Sequence, residues 1–344
     1  MCVKLQYLVR NVQANGVGLV QFWGSKQKNK NMKAITLASF GDVSNFQIAD
    51  IPVPAINENE VLIKVKAIGI NPVDVKTRMG KGMAKRIMED SPMILGWDVS
   101  GVIALTGSGV SQFKEGDEVF GMVNFPGLGR AYAEYVAAPA NQIALKPANI
   151  PHEEAAAATL AALTAYQALV IKAGVKTGQR VLIHAAAGGV GHYAVQIARH
   201  LGAYVIGTAS AANKDFVLGL GADEHIDYRA RRFEEELTDI DFVLDTVGGD
   251  NIDRSLQVVK PGGTLISIPS GLNETVTEKA KAKGVNSYFF LVASNGDNMQ
   301  TLADWLEKGI IRSYVSAVFD FTQMGPAHTS VESGRTRGKV IVAV

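Results

Sequence analysis

The feature that most constrains the fold is the segment Val181–Arg199, which reads VLIHAAAGGVGHYAVQIAR. Its aliphatic start predicts a buried strand, its small residues a turn, and its later apolar spacing a helix. Glycines in such a turn let the backbone approach the pyrophosphate of a dinucleotide, and the helix N-terminus offers free N–H groups. Ala186 stands where the usual pattern has its first glycine. The expected cofactor contacts in this turn are Ala187, Gly188, Gly189, Val190 and Gly191.

Strand-like and helix-like segments alternate after Pro151. One breaker-free helix is predicted over 152–169, and further helices over 190–201, 212–219 and 250–259. The predicted strands are 181–185, 203–208, 224–228, 242–247, 263–269 and 286–293. Six strands with helical crossovers predict an α/β fold with a parallel, doubly wound sheet.

The remaining chain has a different pattern. Between residues 32 and 150, short β-like runs such as 60–69, 117–121 and 131–136 are separated by glycine and proline turns. This pattern favours a partly closed β-barrel domain. The final segment, 295–344, has one clear helix (298–308) and a terminal strand (338–344) but no evident core. We expect it to return to the first domain, leaving 151–294 as the dinucleotide-binding domain.

Residues 1–31 contain five lysines or arginines and no acidic residue. We expect a disordered extension or a start site placed too early. A targeting peptide is the alternative, although the segment is poor in serine and arginine.

Charge, cysteine count and the length of apolar runs argue against several classes of protein. A net charge of +1 gives no reason to expect a nucleic acid partner. Cys2 is the only cysteine, which excludes internal disulfides and fits a reducing, cytoplasmic location. No apolar run is long enough to predict a membrane span.

The end of the second predicted strand of the parallel sheet distinguishes NAD from NADP. A carboxylate there would bind the ribose hydroxyls of NAD, but the sequence reads VIGTASAANK with no acid. Ser210 and Lys214 instead offer a hydroxyl and a cation suited to a 2′-phosphate, although Asp215 follows directly. Tyr228, after the third strand, is expected near the adenine or the same phosphate. These residues predict NADPH as the cofactor.

Several collinear motifs resemble the medium-chain dehydrogenase/reductase family, in its zinc-independent quinone oxidoreductase group. The resemblance covers about residues 32–344. It includes the motifs GINPVD (69–74), LGWDVSG (95–101), GDEV (116–119), AYAEY (131–135), LTAY (163–166) and GKV (338–340). It implies a GroES-like β-barrel catalytic domain and a Rossmann domain that enclose NADPH, and dimers or tetramers are common.

The same resemblance argues against a metal. The zinc branch of the family has a cysteine and a Gly-His-Glu motif where this chain has Asn71 and Gly96-Trp97-Asp98. A zinc site needs three suitable ligands, and these positions do not supply them. Hydride must therefore go to an already polarised acceptor, such as a quinone or an α,β-unsaturated carbonyl.

The resemblance also suggests roles for individual residues. Asn71 is expected to hydrogen-bond the acceptor carbonyl or the carboxamide of the cofactor, and Thr164 is expected to face the nicotinamide. Further cofactor contacts are expected from Thr246, Val247, Ile268, Pro269, Phe289, Val292 and Lys339. The apolar run 286–292 predicts an exposed sheet edge that pairs in a homodimer.

The leading hypothesis is an NADPH-dependent reductase of quinones or enones. An enoyl-thioester reductase is a second reading, although the family's tyrosine after the Asn-Pro motif is absent. A non-catalytic NADPH sensor is a third.

Overall fold

The computed structural model describes residues 30–268 and 274–344. Most of the predicted N-terminal extension, and Pro269, lie outside the described residues. The strands are β1 (Asn31–Leu37), β2 (Phe46–Pro52), β3 (Glu60–Ile70), β4 (Asp98–Thr106), β5 (Glu118–Met122), β6 (Tyr135–Pro139), β7 (Ile143–Leu145), β8 (Arg180–Ile183), β9 (Tyr204–Ala209), β10 (Glu224–Asp227), β11 (Ile240–Asp245), β12 (Val259–Ser267), β13 (Asn286–Phe289), β14 (Val315–Asp320) and β15 (Lys339–Ala343).

The α-helices lie in the connections between these strands. They are α1 (Pro72–Arg78), α2 (Ala84–Ile87), α3 (His152–Ala157), α4 (Leu160–Tyr166), α5 (Gly189–His200), α6 (Lys214–Gly219), α7 (Phe233–Glu236), α8 (Asp250–Val258), α9 (Glu274–Ala282), α10 (Gly296–Glu307) and α11 (Met324–Glu332).

The second half of the chain forms the predicted parallel sheet. Its order is β10-β9-β8-β11-β12-β13, and every neighbouring pair is parallel. Alternate residues of β8 pack on opposite faces: Val181 and Ile183 belong to one hydrophobic core and Leu182 to another. Burial on both faces explains why this strand lacks polar alternation. The prediction of a doubly wound, Rossmann-type sheet is confirmed.

A second, mixed sheet is built around β3. Its path is β14-β15-β3-β4-β5-β7, and β6 pairs with the first half of β3. The β3 strand is eleven residues long, so β6 and β15 share one of its edges. Among the described strands no pairing joins β14 to β7, so the sheet stays open rather than closing as a barrel.

The C-terminal residues divide between the two sheets. Helix α10 packs Met299, Leu302 and Leu306 into the core that lies against the parallel sheet. Strands β14 and β15 instead join β3 in the mixed sheet. The chain therefore crosses back between the layers after α10. The exact domain boundaries stay a prediction.

The single helix predicted over 152–169 is wrong. The chain forms α3, breaks at Thr159 (φ −92°, ψ −102°), resumes as α4 and ends in a π-helix over Gln167–Lys172. The break has a distant cause, since the Leu160 amide donates to the Asp98 carboxylate at 2.9 Å. Several strand bounds also differ from the prediction. The largest differences are that β6 begins at Tyr135 rather than at 131, β12 begins at Val259 rather than at 263, and β13 ends at Phe289 rather than at 293.

Two glycines provide a test of packing in the mixed-sheet domain. Gly96 (φ +90°) and Gly116 (φ +89°) share a backbone conformation that side chains rarely adopt. A Cβ at Gly96 would lie 2.3 Å from the buried Tyr132 ring, whereas a Cβ at Gly116 meets nothing within 4 Å. We expect Gly116→Ala to lower the free energy of unfolding by about 1–2 kcal/mol. Gly96→Ala should lower it by roughly 1–3 kcal/mol more. Equal losses in urea titrations would contradict this packing.

Candidate functional site

A cleft of about 550 Å³ lies between the two sheets. On one side it is lined by the turn before α5 and by residues that follow β11, β12 and β13. On the other side it is lined by the start of α1 and by Lys339 and Val340 of β15. Ligands of open parallel sheets bind at this carboxyl edge, so the cleft is the candidate site.

The glycine turn is shaped for close backbone approach. A Cβ at Gly191 would lie 2.2 Å from the Ala185 carbonyl oxygen, so a larger residue cannot fit there without moving the turn. Helix α5, twelve residues long, begins directly after Gly188 and presents its N-terminus to the cleft. First-turn N–H groups have no partner within a helix and carry a partial positive charge. These features fit the phosphates of a dinucleotide.

Asp98 organises the opposite wall of the cleft. Its Oδ2 accepts a hydrogen bond from Asn71 Nδ2 at 2.7 Å, and its Oδ1 accepts one from the Leu160 amide at 2.9 Å. The Lys339 ammonium lies 3.5 Å from Oδ2. Asp98 is fully buried. One carboxylate thus joins the Asn-Pro turn, the start of α4 and strand β15.

Lys339 is buried at the back of the cleft. Its Nζ donates to Asn71 Oδ1 and, at 3.2 Å, to the Ile70 carbonyl oxygen. Its Cδ lies close to Gly189, where an added Cβ would be 3.5 Å away. Burial lowers the pKa of Lys339, and the charge of Asp98 opposes that shift. The lysine therefore lies between the glycine turn and Asn71.

Asp74 lies in the first turn of α1, close to Asn71. Its Oδ2 accepts the Asn71 backbone N–H at 2.7 Å, which holds the start of the helix. Burial, together with the negative charge of Asp98, raises the pKa of Asp74 to about 7. The acid is therefore protonated over part of the neutral range, which limits the negative charge in this buried cluster.

Thr164 contributes a hydroxyl to a largely apolar surface. It is buried, lines the cleft and donates Oγ1–H to the Leu160 carbonyl oxygen at 2.6 Å. Its neighbours in the cleft lining include Met83, Phe125 and Phe290. Such a surface excludes water from a bound reactant, which strengthens the few polar interactions present.

Most of the predicted site residues converge on the cleft. Those that line it are Asn71, Thr164, Gly188, Gly189, Val190, Gly191, Thr246, Ile268, Phe289, Val292 and Lys339. Ala187 is buried just behind it, and its carbonyl accepts the Gly338 amide at 2.9 Å. Their roles toward a cofactor stay predictions, and Pro269 lies outside the described residues.

Besides Ala187, four predicted residues with described positions do not line the cleft. Ser210 and Lys214 follow β9, Tyr228 follows β10, and Val247 follows β11 and is 56% exposed. The Tyr228 amide donates to the Ala209 carbonyl oxygen at 3.3 Å, which places Tyr228 beside the end of β9. Ser210, Lys214 and Tyr228 thus surround the ends of two adjacent strands.

Sequence reasoning missed the connecting residues. The sequence marks Asp98 only as part of the stretch that matches the Gly-His-Glu motif of the zinc branch, and Asp74 only as part of the GINPVD motif. Arg78, at the end of α1, is buried and donates to Glu332 at 2.7 Å. Lys76, on the same helix, lines the cleft. The only sequence signal for such buried connecting residues is a charged side chain within an apolar run, as at Asp98 in LGWDVSG.

Two structural features are absent from the described residues. Within 30–268 and 274–344, no three histidine, cysteine or acidic side chains are grouped so that they could hold a metal ion. In the same ranges, no helix combines the length and apolar character that crossing a membrane requires.

Comparisons with known proteins agree with this architecture. Residues 57–148 match the family described as alcohol dehydrogenase GroES-like domain, and residues 220–342 match that described as zinc-binding dehydrogenase. A 2-methylene-furan-3-one reductase of Solanum lycopersicum is 35% identical, over 90% of this chain and 79% of its own length. A chloroplastic NADPH-dependent alkenal/one oxidoreductase of Arabidopsis thaliana is 35% identical, over 91% of this chain and 80% of its own length.

A solved structure is also similar over its whole length. The quinone oxidoreductase from Coxiella burnetii superposes with a TM-score of 0.87 and 38% identity, covering 92% of this chain and 100% of that one. The chain therefore belongs to the medium-chain dehydrogenase/reductase family, in its quinone oxidoreductase-like group. The predicted family, its GroES-like and Rossmann-type architecture and its oxidoreductase class are confirmed.

The Asp98–Lys339 pair makes a testable contribution to stability. Asp98→Asn leaves a buried ammonium without its carboxylate, which should cost about 3–5 kcal/mol of unfolding free energy. Lys339→Met leaves the carboxylate unpaired at a similar cost. The double variant should lose less than the sum of the two, because neither charge is then left alone. Additive losses in urea titrations would mean that the two groups do not interact.

Asp74 should make stability depend on pH. Its pKa is raised from 3.8 to about 7 in the folded chain. The folded state therefore keeps this proton after the unfolded state has lost it, and stability from this group falls as pH rises through that window. Asp74→Asn should gain stability relative to wild type by up to about 1.4 kcal/mol per pH unit between pH 4 and 7.

The control for that comparison is Asp50→Asn, on an exposed position of β2. Other titrating groups, including the buried histidines, are common to all three proteins and cancel in the differences. A constant gap between wild type and Asp74→Asn across the window would contradict the raised pKa.

Proposed function

We propose that this protein reduces quinones or α,β-unsaturated carbonyls with NADPH, without a metal ion. The observation that carries the proposal is the arrangement of the cleft. A glycine turn and helix N-terminus suited to phosphates line one wall, and the Asn71–Lys339–Asp98 group lies on the other. The relatives named above act, by their names, on a methylene-furanone, alkenals and quinones.

Family membership entails a nicotinamide dinucleotide, and NADPH is the proposed form. Ser210 and Lys214 stand where an NAD enzyme would have a carboxylate. Arg229 adds a cation there, since its Nε lies 3.3 Å from the Tyr228 hydroxyl oxygen. When bound, NADPH would supply a hydride to the acceptor. Gly188 to Gly191 would hold its pyrophosphate, and Thr164 and Asn71 would lie at its nicotinamide end.

Asn71 is proposed to stabilise negative charge on the acceptor oxygen. One N–H of its Nδ2 goes to Asp98, which leaves the second for a ligand. The Lys339 ammonium bound to Oδ1 polarises this amide and strengthens its remaining N–H as a donor. Such a preorganised donor is favourable where charge develops during reaction. With an enone, water would then protonate the carbon next to the carbonyl, and with a quinone it would protonate the hydroquinone oxygen.

The same contacts support metal independence. Asn71 matches the cysteine of the zinc branch, and Asp98 belongs to the stretch that matches its Gly-His-Glu motif. Both side chains already bind the Lys339 ammonium. A dication placed there would face a buried positive charge, which is unfavourable.

Two alternative functions, an enoyl-thioester reductase and a non-catalytic NADPH sensor, predict different substrates from this proposal. The chain lacks the tyrosine of the enoyl-thioester reductases after its Asn-Pro motif, and the cleft lining is largely apolar. A sensor would bind NADPH and reduce nothing.

A homodimer is also proposed, formed through β13, the edge strand of the parallel sheet. A cytoplasmic location is proposed as well.

The test is NADPH oxidation by the purified chain with a small quinone, a small enone and a crotonyl thioester. We expect turnover with the first two and a preference for NADPH over NADH. Lys214→Ala should lower kcat/KM for NADPH about 10-fold, as expected for a charged hydrogen bond, and leave NADH unchanged. The exposed Lys172→Ala is the matched control.

Three outcomes would contradict the proposal. Binding of NADPH without reduction of any acceptor would favour the sensor. Faster turnover of the thioester than of the enone would favour the enoyl-thioester reductase. An unchanged cofactor preference in Lys214→Ala would remove the phosphate role of Lys214.

A further inference from the structure

The segment between α11 and β15 reaches the adenosine side of the predicted cofactor site. Arg337 lies on this segment, and its guanidinium donates Nε–H to Asn213 Oδ1 at 2.9 Å and Nη2–H to the Ala212 carbonyl oxygen at 3.2 Å. It also lies over the Phe216 ring, 5.0 Å from the centroid. A residue far away in sequence is thus fixed against the loop that follows β9.

Asn213 links Arg337 to Ser210 through a second hydrogen bond. Its Nδ2 donates to Ser210 Oγ at 3.2 Å, so the serine hydroxyl accepts here and keeps its own proton for another acceptor. The Arg337–Asn213–Ser210 chain therefore orients Ser210 as a donor. Asn213 immediately precedes Lys214, so the loop brings together a hydroxyl and two cations.

The positive charge at this loop is carried by Lys214 and Arg337. Within residues 30–268 and 274–344, the ion pairs include neither Lys214 nor Arg337. Two of the five guanidinium N–H groups make the contacts above, which leaves the others for a ligand. Arginine binds phosphate groups through paired, charge-assisted hydrogen bonds.

The position of the segment relates this loop to the cleft. The backbone N–H of Gly338, the next residue, donates to the Ala187 carbonyl oxygen in the glycine turn at 2.9 Å. The side chain of Lys339, one residue further on, binds Asn71. The segment therefore runs from the loop after β9, across the glycine turn, to the opposite wall of the cleft. A dinucleotide lying on the glycine turn would have its adenosine at the Arg337 end.

We propose that Arg337 is a specificity-determining residue that binds the 2′-phosphate of the cofactor together with Ser210 and Lys214. This inference rests on the proposed function, because it requires NADPH to be the cofactor. The group recognised is a phosphate monoester on the adenosine ribose.

Calorimetric binding of two fragments separates this role from activity. The probes are 2′-phospho-ADP-ribose and ADP-ribose, titrated into wild type, Arg337→Gln and Arg337→Ala. We expect both variants to bind the phosphorylated probe about 10-fold or more weakly, as for loss of a charged hydrogen bond, and ADP-ribose nearly as wild type does. Arg312→Ala, an exposed arginine on the same C-terminal part of the chain, is the matched control. If Arg337→Ala unfolds, the glutamine variant, which keeps part of the stem and a polar end, decides.

The outcomes distinguish this inference from the function it rests on. If wild type itself shows no preference for the phosphorylated probe, the choice of NADPH fails and Arg337 with it. If wild type prefers that probe and Arg337→Gln keeps the full preference, only the role of Arg337 is wrong. Equal weakening of both probes would show that Arg337 merely supports the loop, which also overturns the inference.

Discussion

The cleft depends on the hydrogen bonds of one buried carboxylate, that of Asp98. Its oxygens fix Asn71 at 2.7 Å and the Leu160 amide at 2.9 Å, and its charge faces the Lys339 ammonium. These partners come from the Asn-Pro turn, the helix that carries Thr164 and the last strand of the chain. A buried charge is tolerated only when it is paired and hydrogen-bonded. Asp98 therefore stabilises the fold and orients the polar groups that would contact an acceptor.

The final residues of the chain act on both walls of the cleft. Arg337 contacts the loop after β9, Gly338 contacts the glycine turn, and Lys339 contacts Asn71. These contacts make the cleft a product of the two sheets together rather than of the parallel sheet alone. The glycine turn would supply affinity for phosphates, whereas the opposite wall would supply the groups for chemistry. This division is consistent with a family whose members use the same kind of cofactor-binding domain for different reduction reactions.

The sequence predicts well what local physics decides. The strand–turn–helix unit around Gly191 is recognisable because steric limits and hydrophobic spacing both act within a few residues. The break at Thr159 is not, because its cause is Asp98, 62 positions away from Leu160. Lys339 lies 241 positions from Asp98, so their pairing has no local signal either. The family resemblance located Asn71 and Lys339, but only the tertiary structure shows that they bind each other. Arg337 carries no motif and became visible only through its contacts.

The most direct measurement is a crystal structure of the chain soaked with NADPH. If the cleft is a metal-free nicotinamide site, we expect electron density for the pyrophosphate at the first turn of α5 and for the nicotinamide between Thr164 and Asn71. It also predicts that the Asp98 contacts are unchanged. Cofactor bound outside the cleft, a reversed orientation, or a metal ion in place of the Lys339 ammonium would contradict it.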